Sequence, residues 1–179
     1  MPPPVTAESL AAEGWHCKTL PGFAGLIGPL WVRREGVQDE GGRSEGGRSE
    51  GGRSEGVRSE GVRSEGMRSE AQAWAYGLLA TADHLNPAGV VHGGLLTALL
   101  DHGLSAIAWQ ALDRRPCVTV QLDTHFLAPA RAGQFLEVRG QLLRATSSLV
   151  FMRGELSVAG NVVATGAAVL KVLAAASDH

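Results

Sequence analysis

The chain has 179 residues, 44% of them hydrophobic, and a formal net charge of −2, which suits one domain with a real core. Neither sign of charge dominates, so no nucleic-acid or membrane-surface partner is expected. No apolar run approaches the roughly eighteen residues of a membrane span, and Met1-Pro2-Pro3-Pro4 does not open a basic-then-apolar leader, so a cytoplasmic location is expected.

Residues 1–22 read as a polar start, a short helix from about Ala7 to Glu13, and a loop closing at Pro21-Gly22. Cys17 and the distant Cys117 stand without a second ligand pair, the pattern of two reduced thiols rather than a disulfide or metal site. The run from Phe23 to Arg34 is rich in β-formers and is the first strand candidate, with Gly28-Pro29 placing it at a sheet edge or a bend.

From Glu40 to Ser69 the composition changes to six copies of a neutral five-residue unit, Glu-Gly-x-Arg-Ser. A period of five matches neither helix nor strand, and a glycine in every unit costs a helix roughly 1 kcal/mol each. The stretch reads as a disordered low-complexity insertion within a single domain spanning 1–179. Gln72 to Ala82 reads as the second strand, which puts the insertion in the first hairpin, where length costs little loop entropy.

From about His92 to about Leu112 the residues Leu95, Leu96, Leu99, Leu100, Leu104, Ile107 and Ala108 recur at helical spacing, giving a wide apolar face. In its middle stands Asp101, with Thr97 and Ser105 four residues to either side on one polar stripe. An ionised carboxylate removed from water costs several kcal/mol unless paired, so Asp101 needs a partner or a task. At the helix start, Gly93 and Gly94 leave first-turn N–H groups unobstructed at the positive end of the dipole, where a carbonyl can be polarised. Downstream, Pro116–Ala128, Gln134–Ala145, Ser148–Ala159 and Val162–Leu173 are four strands separated by turn signals. Two strands, a long apolar helix and four strands predict an α+β fold, one antiparallel sheet of five or six strands curled around the helix.

His92-Gly93-Gly94 with an acid nine residues after the histidine, preceded by Asn86-Pro87-Ala88-Gly89, resembles the phenylacetate-pathway (PaaI-like) branch of the hotdog-fold acyl-CoA thioesterases. Element order and lengths are similar to the hotdog fold over about residues 15–38 and 71–173. The resemblance implies hydrolysis of acyl-CoA or aryl-acyl-CoA to free acid and CoA, without cofactor or metal, by a homodimer or homotetramer. It makes Asp101 the general base or nucleophile and Gly93 the backbone donor, the two coming from opposite subunits. It places Asn86 near the His92 side chain or the thioester oxygen, and puts Thr119 where some members hold the attacking water with a serine. His92 reads first as a residue that fixes the helix entry by hydrogen bonding. Spacing agrees with the dimer: Gly93 and Asp101 are eight residues apart on one helix, about 12 Å, too far to grip one thioester.

Each of these residues also has a plain structural reading. Asp101 fits a buried acid satisfied by hydroxyls, Asn86 a turn residue, Thr119 a ladder residue, and His102 a packed or subunit-facing side chain. For the nucleotide half of CoA the candidates are Arg139, Arg144, Arg153 and Lys171, each by default a solvated charge. Relatives with a glycine and a basic residue after the fourth strand differ from this chain, which has Thr146-Ser147-Ser148 there. Two other functions stay open: a non-catalytic acyl-CoA-binding hotdog module, and a hotdog enoyl-CoA hydratase, evoked by Asp83 before Asn86-Pro87.

Overall fold

The computed structural model describes residues 4–35 and 74–174. The pentapeptide stretch 40–69 lies outside the described residues. In chain order the elements are α1 (Ala7–Ala12), β1 (His16–Lys18), α2 (Phe23–Leu26), β2 (Leu30–Arg34), β3 (Trp74–Leu79), a 3-10 turn (Ala82–His84), α3 (Gly93–Ala111), β4 (Cys117–Phe126), β5 (Phe135–Ala145), β6 (Leu149–Val158) and β7 (Asn161–Val172). The strands form one antiparallel sheet in the order β1-β2-β3-β5-β6-β7-β4, with α3 laid across it. This is the hotdog architecture.

The first strand candidate is half wrong. Phe23–Leu26 is a single helical turn, and only Leu30–Arg34 enters the sheet. Gly25 sits so close to the Leu20 carbonyl that a side chain has no room, and Gly28 takes φ +114° before Pro29, so the backbone turns sharply where β-propensity alone reads extended. The sheet has seven strands rather than five or six, because β1 forms where a loop was expected. Its entry is pinned from a distance: Trp15 is buried edge-on against Phe135, and Arg33 lies over the Trp15 ring at 4.5 Å. Arg34 pairs with Trp74, so the segment between β2 and β3 leaves and re-enters the sheet at one end of an antiparallel pair.

Helix α3 buries Leu96, Leu99, Leu100, Gly103, Leu104, Ile107 and Ala108. It sits deep because the sheet beneath it lacks side chains. Gly140, Gly154 and Gly166 are cross-strand neighbours on β5, β6 and β7, and they form a row across the sheet. A Cβ on Gly154 meets the Leu104 side chain at 2.6 Å and the Arg139 carbonyl at 2.5 Å, and one on Gly140 meets Leu104 at 2.7 Å. From the helix side, a Cβ on Gly103 meets Val138 at 2.6 Å. Close approach of this kind maximises dispersion contact and leaves no slack for an added methyl.

Strand β4 is an edge strand, and its register with β7 slips between Thr119 and Gln121. The extra residue reverses the alternation: Cys117 and Thr119 are sheltered before it, Leu122 and Thr124 after it. Both halves of one strand therefore turn toward α3. Val118, Val120, Phe126 and Leu127 are exposed along this edge.

Candidate active site

Asp101 lies midway along α3, half-buried, and meets β4. The Thr119 hydroxyl donates to Asp101 Oδ1 at 2.6 Å, a short contact. Ser105, one turn further along the helix, has its hydroxyl 3.2 Å from Thr119 Oγ1. The Cys117 thiol points at the Ser105 carbonyl at 4.0 Å, and burial pushes that thiol's pKa up, so it stays protonated. The helix stripe and β4 thus bring Asp101, Ser105 and Thr119 together.

The helix start is built differently. His92 is the N-cap, and its Nδ1 accepts from the Gly94 N–H at 2.9 Å. A Cβ on Gly94 meets that same Nδ1 at 2.9 Å, so the cap requires glycine there. Leu95 and Leu96 donate their N–H groups to the His92 carbonyl. The Gly93 N–H is left as the one first-turn donor without a partner among the described residues.

Asn86 folds the preceding loop. Its Oδ1 accepts from Ala88 N–H at 2.9 Å and Val90 N–H at 3.4 Å, and its own N–H donates to the Val90 carbonyl at 2.8 Å. It forms no hydrogen bond to the His92 side chain among the described residues. His84, which the sequence did not single out, ties this loop to the helix. Its carbonyl accepts from His92 N–H at 2.8 Å, and its Nδ1 accepts from Thr81 N–H at 3.0 Å. The signal was there: Thr81 three residues before a side-chain acceptor is the spacing of a capping box. A cavity of about 350 Å³ opens beside this entry, walled by Phe23, Leu26, Leu85, Leu95, His84 and His92.

The structure thus separates the predicted residues into two groups along one helix, Asn86, His92 and Gly93 at its start and Asp101 with Thr119 at its middle. His102 faces away from Asp101's partners, against the Tyr76 ring at 5.9 Å, and burial lowers its pKa while the Asp101 charge opposes the shift. Asp83 is exposed in the 3-10 turn. Among the basic candidates, Arg139 is paired with Glu35 and Glu137 at 2.6 and 2.7 Å, and Arg153 donates to Gln141 at 3.1 Å. Both line an open concavity on the sheet face turned away from α3. Arg144 and Lys171 are exposed, and the Thr146 hydroxyl is spent inside its own turn on the N–H groups of Ser148 and Leu149.

One long helix wrapped by an antiparallel sheet, with a hydrogen-bonded acid at its middle and an unspent N–H at its start, has the architecture of the hotdog enzymes. Residues 88–165 match the thioesterase superfamily. A phenylacetic acid degradation-related protein of Ralstonia eutropha is 38% identical with a TM-score of 0.54, over 57% of this chain and 78% of that one. The chain belongs to the thioesterase superfamily. It is also similar to a variant of the phenylacetic acid degradation protein PaaI of Thermus thermophilus, at 27% identity and a TM-score of 0.51, over 56% of this chain and 85% of that one. Human acyl-coenzyme A thioesterase 13 is 29% identical over 87 residues, 47% of this chain and 61% of that protein. A Pseudomonas aeruginosa protein named as an esterase is 36% identical over 87 residues, 48% of this chain and 65% of that one. The chain therefore spans less than two thirds of the length of these curated relatives.

Proposed function

We propose that the protein hydrolyses acyl-CoA or aryl-acyl-CoA thioesters to the free acid and CoA, working as a homodimer or homotetramer. The observation that carries this reading is the short Thr119 hydrogen bond to Asp101 in the middle of a largely apolar helix. A half-buried acid held in one orientation by a hydroxyl is preorganised either to attack a thioester carbon or to take a proton from water. The complementary group is the unpartnered Gly93 N–H, which polarises the thioester carbonyl and stabilises the oxyanion that forms there, a contribution of about 3 to 4 kcal/mol. His92 and Asn86 hold that donor in place through the helix cap and the loop. The cavity beside His92, lined by Phe23, Leu26, Leu85 and Leu95 together with Asp83 and His84, offers room for the acyl group attached to such a carbonyl.

About 12 Å of helix separates Gly93 from Asp101, so each site takes its donor from one copy and its acid from another. The exposed apolar residues of β4, on an unpaired sheet edge, support an assembly on that side. The test is CoA release from a panel of aliphatic and aromatic acyl-CoAs by the parent, Asp101→Asn and Gly93→Pro. Proline is favoured at the first helical position, the extended ψ of 132° at His92 suits a following proline, and the substitution removes the N–H in question, with the exposed Phe126 ring, 3.2 Å from a Cβ placed there, giving way. Each variant alone is expected to be nearly inactive. Mixed and reassembled in equal amounts, they regain about a quarter of parental activity, because half the dimers are mixed and each mixed dimer holds one intact site. A parent that binds acyl-CoA without turning any over replaces the enzyme with a binding module. Inactive mixtures would place both groups in one copy.

A further inference from the structure

We propose that Ser105 is a positioning residue of the Asp101 site, acting through Thr119, so that one oxygen of the acid is held and the other is left for the reaction. This deepens the reading above and rests on it. The argument is a count of protons. An ionised carboxylate only accepts hydrogen bonds, so in the 2.6 Å contact the proton belongs to Thr119 and points at Asp101 Oδ1. A hydroxyl has one proton. The 3.2 Å contact between Ser105 Oγ and Thr119 Oγ1 must then run the other way, with Ser105 donating and Thr119 accepting.

The three side chains form a directed chain, Ser105 to Thr119 to Asp101, in which each hydrogen bond polarises the next. Two features of the fold build it. Ser105 and Asp101 are one helical turn apart, so both reach the same point on β4. The slip in β4 after Thr119 turns that residue inward together with Leu122 and Thr124, which simple alternation from Thr119 would not do.

Two consequences follow. Thr119, its proton committed to Asp101, cannot donate to an attacking water; it fixes the carboxylate plane and leaves Oδ2 as the oxygen that attacks or accepts the proton. Ser105 prevents Thr119 from turning its proton elsewhere, since the Thr119 lone pair that faces the helix is already taken. The Ser105 contribution therefore exists only while Thr119 keeps its hydroxyl.

The test is a double-mutant cycle on the acyl-CoA that the parent turns over fastest, with Ser105→Ala, Thr119→Val, their combination, Ser105→Thr as the conservative variant, and Asp101→Asn beside them. Ser105→Ala is expected to lower kcat about three- to tenfold with KM unchanged, and Ser105→Thr to stay within about twofold of the parent. In the Thr119→Val background Ser105→Ala is expected to have no further effect. Thermal unfolding of each variant checks that it is folded. A Ser105→Ala enzyme at the parental rate overturns the proposal, as do Ser105→Ala and Thr119→Val losses that multiply. An Asp101→Asn enzyme at the parental rate removes the whole site reading instead, so the two failures are told apart.

Discussion

The two ends of the proposed site each present one polar group at a fixed place by opposite means. At the helix start the His92 and Asn86 side chains are spent on the backbone. His92 caps Gly94 and Asn86 ties up Ala88 and Val90, and what remains to act is a main-chain N–H. At the helix middle the backbone is used by the helix, and what remains is a side-chain carboxylate held by the Thr119 hydroxyl, which in turn meets Ser105. A main-chain donor moves only if the helix moves. A carboxylate can rotate, so it needs Thr119.

Substitutions at the two ends should therefore separate activity from stability. Asp101→Asn keeps the shape and the Thr119 contact while removing the proposed base or nucleophile, and a loss of about 10²- to 10⁴-fold in kcat is expected, read in the CoA-release assay. Gly93→Pro should cost about 10²- to 10³-fold with the helix intact by circular dichroism. Gly154→Ala lies outside both ends and tests the seat of the helix between them. Its methyl collides with Leu104 and the Arg139 carbonyl, and a stability loss of about 1 to 3 kcal/mol in urea unfolding is expected. His92→Ala removes a cap and should cost about 1 kcal/mol of stability; a larger loss of kcat than of stability would show that the cap also aims the Gly93 N–H.

The smallest effect concerns His102. Burial lowers its folded pKa, so the unfolded chain takes the proton first as pH falls through the unfolded value of about 6.5. The contribution of neutral His102 is present above that pH and is lost below it. The parent should lose stability between about pH 7 and pH 5 more steeply than His102→Gln.

Much of this was legible in the chain alone. The helix from His92 to Leu112, the last four strands and the family came from periodicity, turn residues and the His92-Gly93-Gly94 to Asp101 spacing, because burial on one face of a helix or strand writes itself directly into sequence. The short strand His16–Lys18 and the helical turn Phe23–Leu26 were not legible. The first is held by Trp15 against Phe135, a contact across 120 positions, and the second by the Gly25 approach to Leu20 and the left-handed Gly28.

The sequence by itself singled out the residues proposed to carry chemistry: an acid in a largely apolar helix must be explained, and the glycines after His92 free the first turn of side chains. Only the tertiary structure decided which hydroxyl reaches the acid. Plain alternation from Thr119 along β4 would group it with Gln121, Asp123 and His125, whereas the bulge gives it Leu122 and Thr124 as inward neighbours, and the glycine row under Leu104 seats the helix that carries Asp101 and Ser105. A bulge depends on pairing with another strand, and helix depth depends on what three other strands lack. Neither is a property of the residues that depend on it.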